Sequence, residues 1–308
     1  MKAHPFGKEP WPALPWEEWK DTAATLHMWT QIVGKTRMAF TPLENHWWNV
    51  PLYVTPRGLS TWSIPYGDDL FDIEFDFIAH RLNVRLSSGA SKFIPLRPQS
   101  VAAFYEEYLN LLRSLNIDVD INPKPVEIPD PIPFPEDHQH ASYDEDAVHR
   151  FSRILQRSDT VLKRFRARFL GKSSPVHFFW GSFDLAVTRF SSKPAPSRPG
   201  ADAITREAYS HVVISAGVWP GNGGFGTPAF YCYAAPQPAG LEKATIGPAP
   251  AFYSNELKEF ILKYDDIRSA ESPEESLLEF LHSTYEAAAV LANWDRAALE
   301  RQNKQEDT

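Results

Sequence analysis

The sequence predicts an α+β fold made of two similar halves, each a mostly antiparallel sheet flanked by helices. Alternating apolar and polar residues in 71–77 and 82–86 predict a hairpin with one buried and one solvated face. Apolar residues at three- and four-residue spacing in 16–33 and 144–170 predict long helices. Six prolines within 122–135 predict an extended connector. The predicted parts are an N-terminal half over 1–121, the connector over 122–143 and a C-terminal half over 144–308.

The first half is expected to begin with the helix over 16–33. Gly34, which tolerates the left-handed cap conformation, and Lys35, which suits the negative end of the helix dipole, are expected to end it. After the hairpin, residues 92–96 are predicted to form an edge strand, because their proline cannot donate to a ladder. A helix over 98–115 then completes this half.

The second half is predicted to repeat the order of the first, which indicates an internal duplication. Gly171 and Lys172 follow its first helix, as Gly34 and Lys35 follow the helix of the first half. The last helix is expected over 273–292, because Ser272 supplies an N-cap and a proline follows it. The strands expected between these two helices cover 177–190, 208–218, 229–235 and 259–263.

The composition restricts the function classes. A net charge of −8 argues against general attraction to nucleic acid or to anionic membranes, and no apolar run is long enough to span a membrane. Cys232 is the single cysteine, so no internal disulfide is expected, and the first residues lack an apolar run of signal-peptide length. A cytoplasmic location is therefore predicted. The 10 Trp, 11 Tyr and 20 Phe residues favour rigid aromatic pockets.

Three glycine motifs resemble nucleotide-binding loops but lack the required context. Residues 34–36 and 171–173 match the end of a phosphate-binding loop, yet each follows a helix and lacks the earlier glycine. Residues 221–226 match G-x-G-x-x-G, but a strand follows where a dinucleotide site needs a helix. These segments are therefore interpreted as helix ends and a flexible loop, and no cofactor is expected.

Acidic and histidine residues raise the question of a metal site. Asp72, Glu74 and Asp76 share one face of a predicted strand and form either a cation site or, as we favour, ion pairs with Arg81 and Arg85. Three histidines, His46, His177 and His211, form with Asp184 another set of potential metal ligands. No bound metal is predicted.

The helix over 144–170 carries a stripe of arginines beside an apolar face. Such a stripe either binds an anionic partner or pairs with acidic groups of the same chain. An interaction protein that uses the basic segment 150–172 is therefore the alternative function. The stripe consists of Arg150, Arg153, Arg157, Arg164 and Arg168.

The most site-like residues are histidines that lie beside tryptophans in the predicted strands. If the halves meet about a two-fold axis, His46 and His177 face one cleft, and His211 borders it. Histidine suits acid–base chemistry near neutral pH, and Asp184 would orient it. The other interpretation is that these histidines are buried core residues. The sequence thus predicts a small-molecule-binding protein or enzyme. The expected ligand-binding residues are Asn45, Trp48, Trp180 and Trp219.

Four segments resemble one protein family. The resemblance covers nearly the whole chain and points to the bacterial family known as domain of unknown function 5996. It implies no activity, cofactor or catalytic residue. The segments are 11–16, 26–35, 50–59 and 174–190.

Overall fold

The computed structural model describes residues 9–301 and confirms the α+β class. In this range two antiparallel six-stranded sheets combine with seven α-helices. The two predicted halves also include residues 1–8 and 302–308, which lie outside the described residues. No helix in the described range is long and apolar enough to cross a membrane.

The helices largely follow the predicted order. The side chains of Ser100 and Asp144 accept hydrogen bonds from backbone N–H groups in the first turns of α2 and α3, so both helices have the N-caps that orphan amides need. The helices are α1 (Trp16–Phe40), α2 (Val101–Arg113), α3 (Glu145–Ala167), α4 (Ala203–Ala208), α5 (Tyr264–Arg268), α6 (Pro273–Leu291) and α7 (Arg296–Leu299).

The prediction that Gly34 ends the first helix is wrong, because α1 continues through it to Phe40. The indole of Trp180 packs directly on this glycine. A Cβ atom built at Gly34 would lie 2.3 Å from the Trp180 ring. The glycine therefore serves close packing between α1 and the second half of the chain, where the sequence suggested a cap.

The first sheet contains the predicted hairpin, β4 paired with β5 in antiparallel register. Its strands lie in the order β1-β2-β4-β5-β6, and β3 pairs separately with β4. The predicted edge strand is confirmed as β6. The strands are β1 (Tyr53–Val54), β2 (Gly58–Ser60), β3 (Ile64–Tyr66), β4 (Asp69–Asp76), β5 (Arg81–Leu86) and β6 (Ser91–Pro95).

The second sheet has the order β11-β12-β10-β9-β8-β7. Its strand β12 therefore lies between β10 and the edge strand β11, whereas the first sheet follows chain order apart from β3. Because the strand orders differ, the structure does not show the predicted internal duplication. The strands are β7 (His177–Phe179), β8 (Asp184–Pro194), β9 (His211–Trp219), β10 (Ala229–Ala235), β11 (Phe252–Ser254) and β12 (Glu259–Lys263).

One hydrophobic core extends through both predicted halves. The largest cluster of buried side chains includes residues from Trp11 to Leu299 without a break at the connector. The two sheets also touch, since Leu52 and Phe178 exchange backbone hydrogen bonds of 2.9 and 2.8 Å. The helices α3 and α6 lie against the second sheet and cover one of its faces.

The proline-rich connector is fastened to α1. The buried Gln31 amide donates to the carbonyl oxygen of Val126 and accepts from its N–H, each over 2.9 Å. The Lys35 ammonium donates to the carbonyl oxygen of Lys124 over 2.8 Å. Because a side-chain amide satisfies both backbone groups of Val126, this point of the connector has a fixed position relative to α1.

Candidate functional site

The structure brings the three predicted histidines together with Trp48. Ring centroids lie 5.3 Å apart for His46 and Trp48, and 6.0 Å apart for Trp48 and His177. The His211 ring lies 5.8 Å from that of His46. These residues come from both halves of the chain, so the predicted proximity of the histidines is present in the fold.

His46 lies in a short 3-10 turn (Asn45–Trp47), so the prediction that it lies in a strand is wrong. His46 and Trp47 both have φ near 59°, which turns the chain sharply. The His46 Nδ1 atom lies 2.9 Å from the carbonyl oxygen of Glu207, and the Lys172 ammonium donates to Nε2 over 2.6 Å. Burial lowers the pKa of His46 despite the Glu207 contact. These contacts match a neutral ring that joins two segments.

His177 is fully buried in the same cluster. Its Nε2 atom lies 3.5 Å from the Tyr53 hydroxyl, and its Nδ1 atom has no hydrogen-bond partner among the described residues. Burial, together with the positive charges of Arg37 and Arg166, lowers the pKa of His177 to about 3. The imidazole is therefore neutral at physiological pH and packs as a core side chain.

The remaining predicted site residues lie elsewhere. Trp180 packs on α1, and its indole N–H donates to the carbonyl oxygen of Val50 over 2.9 Å. Asn45 is exposed at the start of the 3-10 turn. Asp184 and Trp219 lie together on the second sheet, where they line a pocket that does not include the histidines. The predicted site residues thus divide between a buried cluster and a separate cavity.

The cavity lies on one face of the second sheet, where the alternation of side chains along the strands places its lining residues. Successive residues of a strand point to opposite faces. Leu185, Val218 and Phe230 belong to the large core beneath α3 and α6, whereas their neighbours lie on the opposite face. That opposite face carries a smaller hydrophobic cluster of its own. It consists of Ala186, Ala229, Tyr231 and Ile261, with Phe179, Trp219, Phe225 and Tyr233 packed around them.

A pocket of about 360 Å³ opens on this face. Five aromatic side chains and three carboxylates form most of its wall. Such a size and such a mixture of aromatic surface with a few polar groups are typical of small-molecule sites. The lining residues are Glu127, Ser182, Asp184, Tyr209, Trp219, Asn222, Gly223, Phe225, Tyr231, Tyr233, Leu257 and Glu259.

Asp184 lies at the base of the pocket, at the first position of β8. It is buried, and it accepts hydrogen bonds from the hydroxyls of Ser182 and Tyr231. Burial raises the pKa of Asp184, and the two hydroxyl donors oppose that effect. Gly217 is paired with Tyr231 on the next strand, and a Cβ there would lie 2.7 Å from the tyrosine hydroxyl. The glycine therefore leaves room for the Tyr231–Asp184 contact.

Two further carboxylates border the pocket. Glu259, the first residue of β12, is partly buried, and burial together with the Asp184 charge raises its pKa to about 7. Glu127 follows Val126, and the residue as a whole is exposed. Its carboxylate nevertheless lies close to Gly181, where a Cβ would be 2.4 Å from Oε1. Desolvation there, with the Asp184 charge, raises the pKa of Glu127. Neither Glu127 nor Glu259 makes a side-chain hydrogen bond or ion pair within residues 9–301. The pocket therefore combines negative charge with little internal compensation.

The glycine-rich segment 221–226 forms one side of the pocket. The prediction that this segment is a loop between strands is confirmed, since it joins β9 to β10. Phe225 contacts the Trp219 ring edge-on at a centroid distance of 5.4 Å. The Asn222 Nδ2 group donates to the carbonyl oxygen of Ser182 over 2.9 Å, while its Oδ1 atom is buried without a hydrogen-bond partner in the described part of the chain.

Sequence reasoning missed most of this pocket. The alternation in β10 would have placed Tyr231 and Tyr233 on one face, and Gly217 in a neighbouring strand could have indicated space beside them. Nothing local identifies Glu127 or Glu259, because one belongs to the connector and the other to a short strand near the chain end. Their convergence depends on the strand order β12-β10-β9-β8.

The arrangement of donors does not favour a metal centre. Within residues 9–301, no three His, Cys, Asp or Glu side chains are grouped closely enough to share one ion. On the first sheet, the Arg85 guanidinium lies 2.5 Å from Asp72 and 3.1 Å from Glu74, and Arg57 lies 2.7 Å from Asp76. The acidic strand face is thus neutralised by ion pairs, as the sequence predicts, with Arg57 as an additional partner.

The basic helix α3 makes several contacts inside the chain. Arg157 lies 3.6 Å from Glu274, and Arg164 lies 2.9 Å from Glu275 at the start of α6. Arg150 donates to the carbonyl oxygen of Ala13 over 3.0 Å. These contacts agree with internal pairing of the stripe. An anionic partner for the segment 150–172 remains a prediction.

Comparison with known proteins identifies a family for this chain. No curated protein and no solved structure matches the chain significantly. A family model, described as a family of unknown function (DUF5996), matches residues 11–301. This range includes every residue of the pocket and of the histidine cluster, and it confirms the resemblance noted from four sequence segments. The chain belongs to the family of unknown function DUF5996.

Proposed function

We propose that the protein binds a small organic molecule in the pocket on the open face of the second sheet. The observation that carries this proposal is the pocket itself, a cavity of about 360 Å³ whose walls combine five aromatic side chains with polar groups and include the buried carboxylate of Asp184. Burying aromatic surface around a ligand contributes most of the affinity, and a few polar groups select its orientation. Asp184 and Trp219 remain from the site predicted by sequence.

The polar groups of the pocket are positioned by the fold in a way that suits binding. Asp184 accepts hydrogen bonds from two hydroxyl groups. The Trp219 ring centroid lies 5.1 Å from that of Tyr231, which stacks with Tyr233. Preorganised side chains reduce the entropy lost when a ligand is fixed. The histidine cluster supports this proposal less well, because His177 is enclosed and His46 is occupied by contacts within the chain.

A fragment screen by ligand-observed NMR tests the proposal. Leu257 lies at the pocket opening, so Leu257→Trp should fill part of the cavity and remove most hits found with the unmodified protein. Leu70→Trp is the matched control, since Leu70 is an exposed leucine on the first sheet. If the hits survive Leu257→Trp as well as they survive Leu70→Trp, the pocket is not the binding site and the proposal is wrong.

A further inference from the structure

We infer that the ligand of this pocket is a protonated amine that carries N–H donors, held against the aromatic wall and facing the carboxylates. The inference rests on the proposed binding function and names the chemical class of the ligand. Three features of the described residues lead to it. They are the aromatic faces, the unpaired carboxylates and an amide oxygen without a donor.

Aromatic rings, whose faces attract cations, line the pocket. Tyr231 and Tyr233 are stacked with centroids 6.1 Å apart, and Trp219 lies 5.1 Å from Tyr231. A cation near such faces interacts with the ring quadrupole, and it does so more strongly in a desolvated site. The chain already uses this interaction nearby, because the Arg198 guanidinium lies 4.1 Å from the Tyr209 ring centroid in an adjoining cavity.

The carboxylates give the pocket its charge preference. No salt bridge within residues 9–301 involves Glu127, Asp184 or Glu259. Negative groups that share one cavity repel one another, and a cationic ligand relieves that repulsion. The three carboxylates are not grouped closely enough to hold one metal ion. An extended organic cation therefore fits the separation between them better than a compact ion.

The Asn222 side chain distinguishes between classes of organic cation. Its Nδ2 group already donates to the Ser182 carbonyl oxygen, which fixes Oδ1 as the free atom. This Oδ1 is buried and lacks a hydrogen-bond donor among the described residues. A buried acceptor without a donor is costly. A primary amine or guanidinium supplies the missing N–H, whereas a quaternary ammonium group has none.

A series of benzyl compounds with similar shapes and different head groups tests the inference. Benzylamine, benzyl alcohol, benzoate and benzyltrimethylammonium are titrated into the full chain, with affinities measured by NMR. We expect benzylamine to bind at least about tenfold more tightly than benzyl alcohol, since a desolvated charge adds cation–π and ionic attraction. Benzoate should be the weakest ligand, and benzyltrimethylammonium should bind less tightly than benzylamine because it cannot donate to Asn222.

Two variants assign the selectivity to the pocket. Glu259→Gln should reduce the preference for benzylamine over benzyl alcohol several-fold, because it removes one carboxylate and keeps the side-chain shape. Glu256→Gln is the matched control, since Glu256 is exposed nearby and does not line the pocket. It should leave the preference unchanged.

The outcomes separate this inference from the proposed function. If benzyl alcohol or benzoate binds as tightly as benzylamine, and Leu257→Trp abolishes that binding, the pocket is a binding site and only the ligand class is wrong. The same conclusion follows if unrelated fragments occupy the pocket while all four benzyl compounds fail to bind at about 10 mM. If no compound of any class depends on Leu257, both statements are wrong.

Discussion

Replacing Glu259 by glutamine should stabilise the protein at neutral and alkaline pH. Burial and the Asp184 charge raise the pKa of Glu259 from its ordinary 4.5 to about 7. One pKa unit corresponds to about 1.4 kcal/mol, so ionising this carboxyl in the folded state costs up to about 3 kcal/mol relative to the unfolded chain. Because Glu259 is partly exposed to solvent, we expect Glu259→Gln to gain about 1 to 3 kcal/mol at about pH 8.

The pH dependence of the gain is the diagnostic feature. Between about pH 4.5 and 7 the folded protein holds a proton on Glu259 that the unfolded chain has lost, so stability falls as pH rises through this window. The variant lacks this loss. Its advantage should therefore be near zero at about pH 4, grow through the window and level off above about pH 7.

Urea unfolding of both proteins at several pH values measures the difference in free energy. Glu256→Gln, at an exposed site that does not line the pocket, controls for the general effect of removing a negative charge. A gain that does not change with pH, or a loss of stability at about pH 8, would refute the reasoning. A cation bound beside Glu259 should favour its ionised form, so benzylamine affinity should rise as pH increases through about 7.

Three other substitutions test packing elsewhere in the fold. Gly34→Ala should lower the free energy of unfolding by about 1 to 3 kcal/mol despite a better helix propensity, because the new methyl group meets Trp180. The double variant Gly34→Ala/Trp180→Phe should recover part of that stability in the same unfolding measurement. The wild type should lose about 4 to 5 kcal/mol of unfolding free energy between pH 6.5 and 3, because folding keeps His177 neutral while the unfolded chain protonates it. His177→Gln should remove this loss in urea unfolding measured across that pH range. An unchanged pH dependence would contradict the prediction. Gln31→Leu should leave the backbone N–H and carbonyl of Val126 without their Gln31 partners and so speed proteolysis within 122–143. Equal cleavage rates in the variant and the wild type would show that these two hydrogen bonds do not hold the connector in place.

Local patterns in the sequence predicted the regular elements well. The hairpin of β4 and β5 follows from strict alternation in 71–77 and 82–86, because one buried face fixes the register. The last helix, α6, does begin at Pro273 as predicted, but the side chain of the preceding Ser272 makes no capping hydrogen bond. The prediction that Gly34 ends a helix is wrong, since the sequence alone does not separate a glycine that allows close packing from one that ends a helix. Only its tertiary neighbour Trp180 distinguishes them.

The candidate site was predictable only in part. Histidines and tryptophans indicated an aromatic region where the halves meet, and His46, Trp48, His177 and His211 do lie together. Their chemistry could not be predicted, because the enclosure of these rings depends on the packing of distant segments. The turn at His46 is held by Glu207 and Lys172, which are remote in sequence.

The carboxylates of the pocket come from widely separated parts of the chain. Glu127 belongs to the connector, Asp184 begins β8, and Glu259 begins β12. During synthesis, the last of these residues leaves the ribosome only after most of the fold has had time to form. A ligand that needs all three groups cannot recognise a chain that has not been made as far as Glu259. Its binding would therefore stabilise only chains that include Glu259 and have folded the second sheet, and not products that end before that residue.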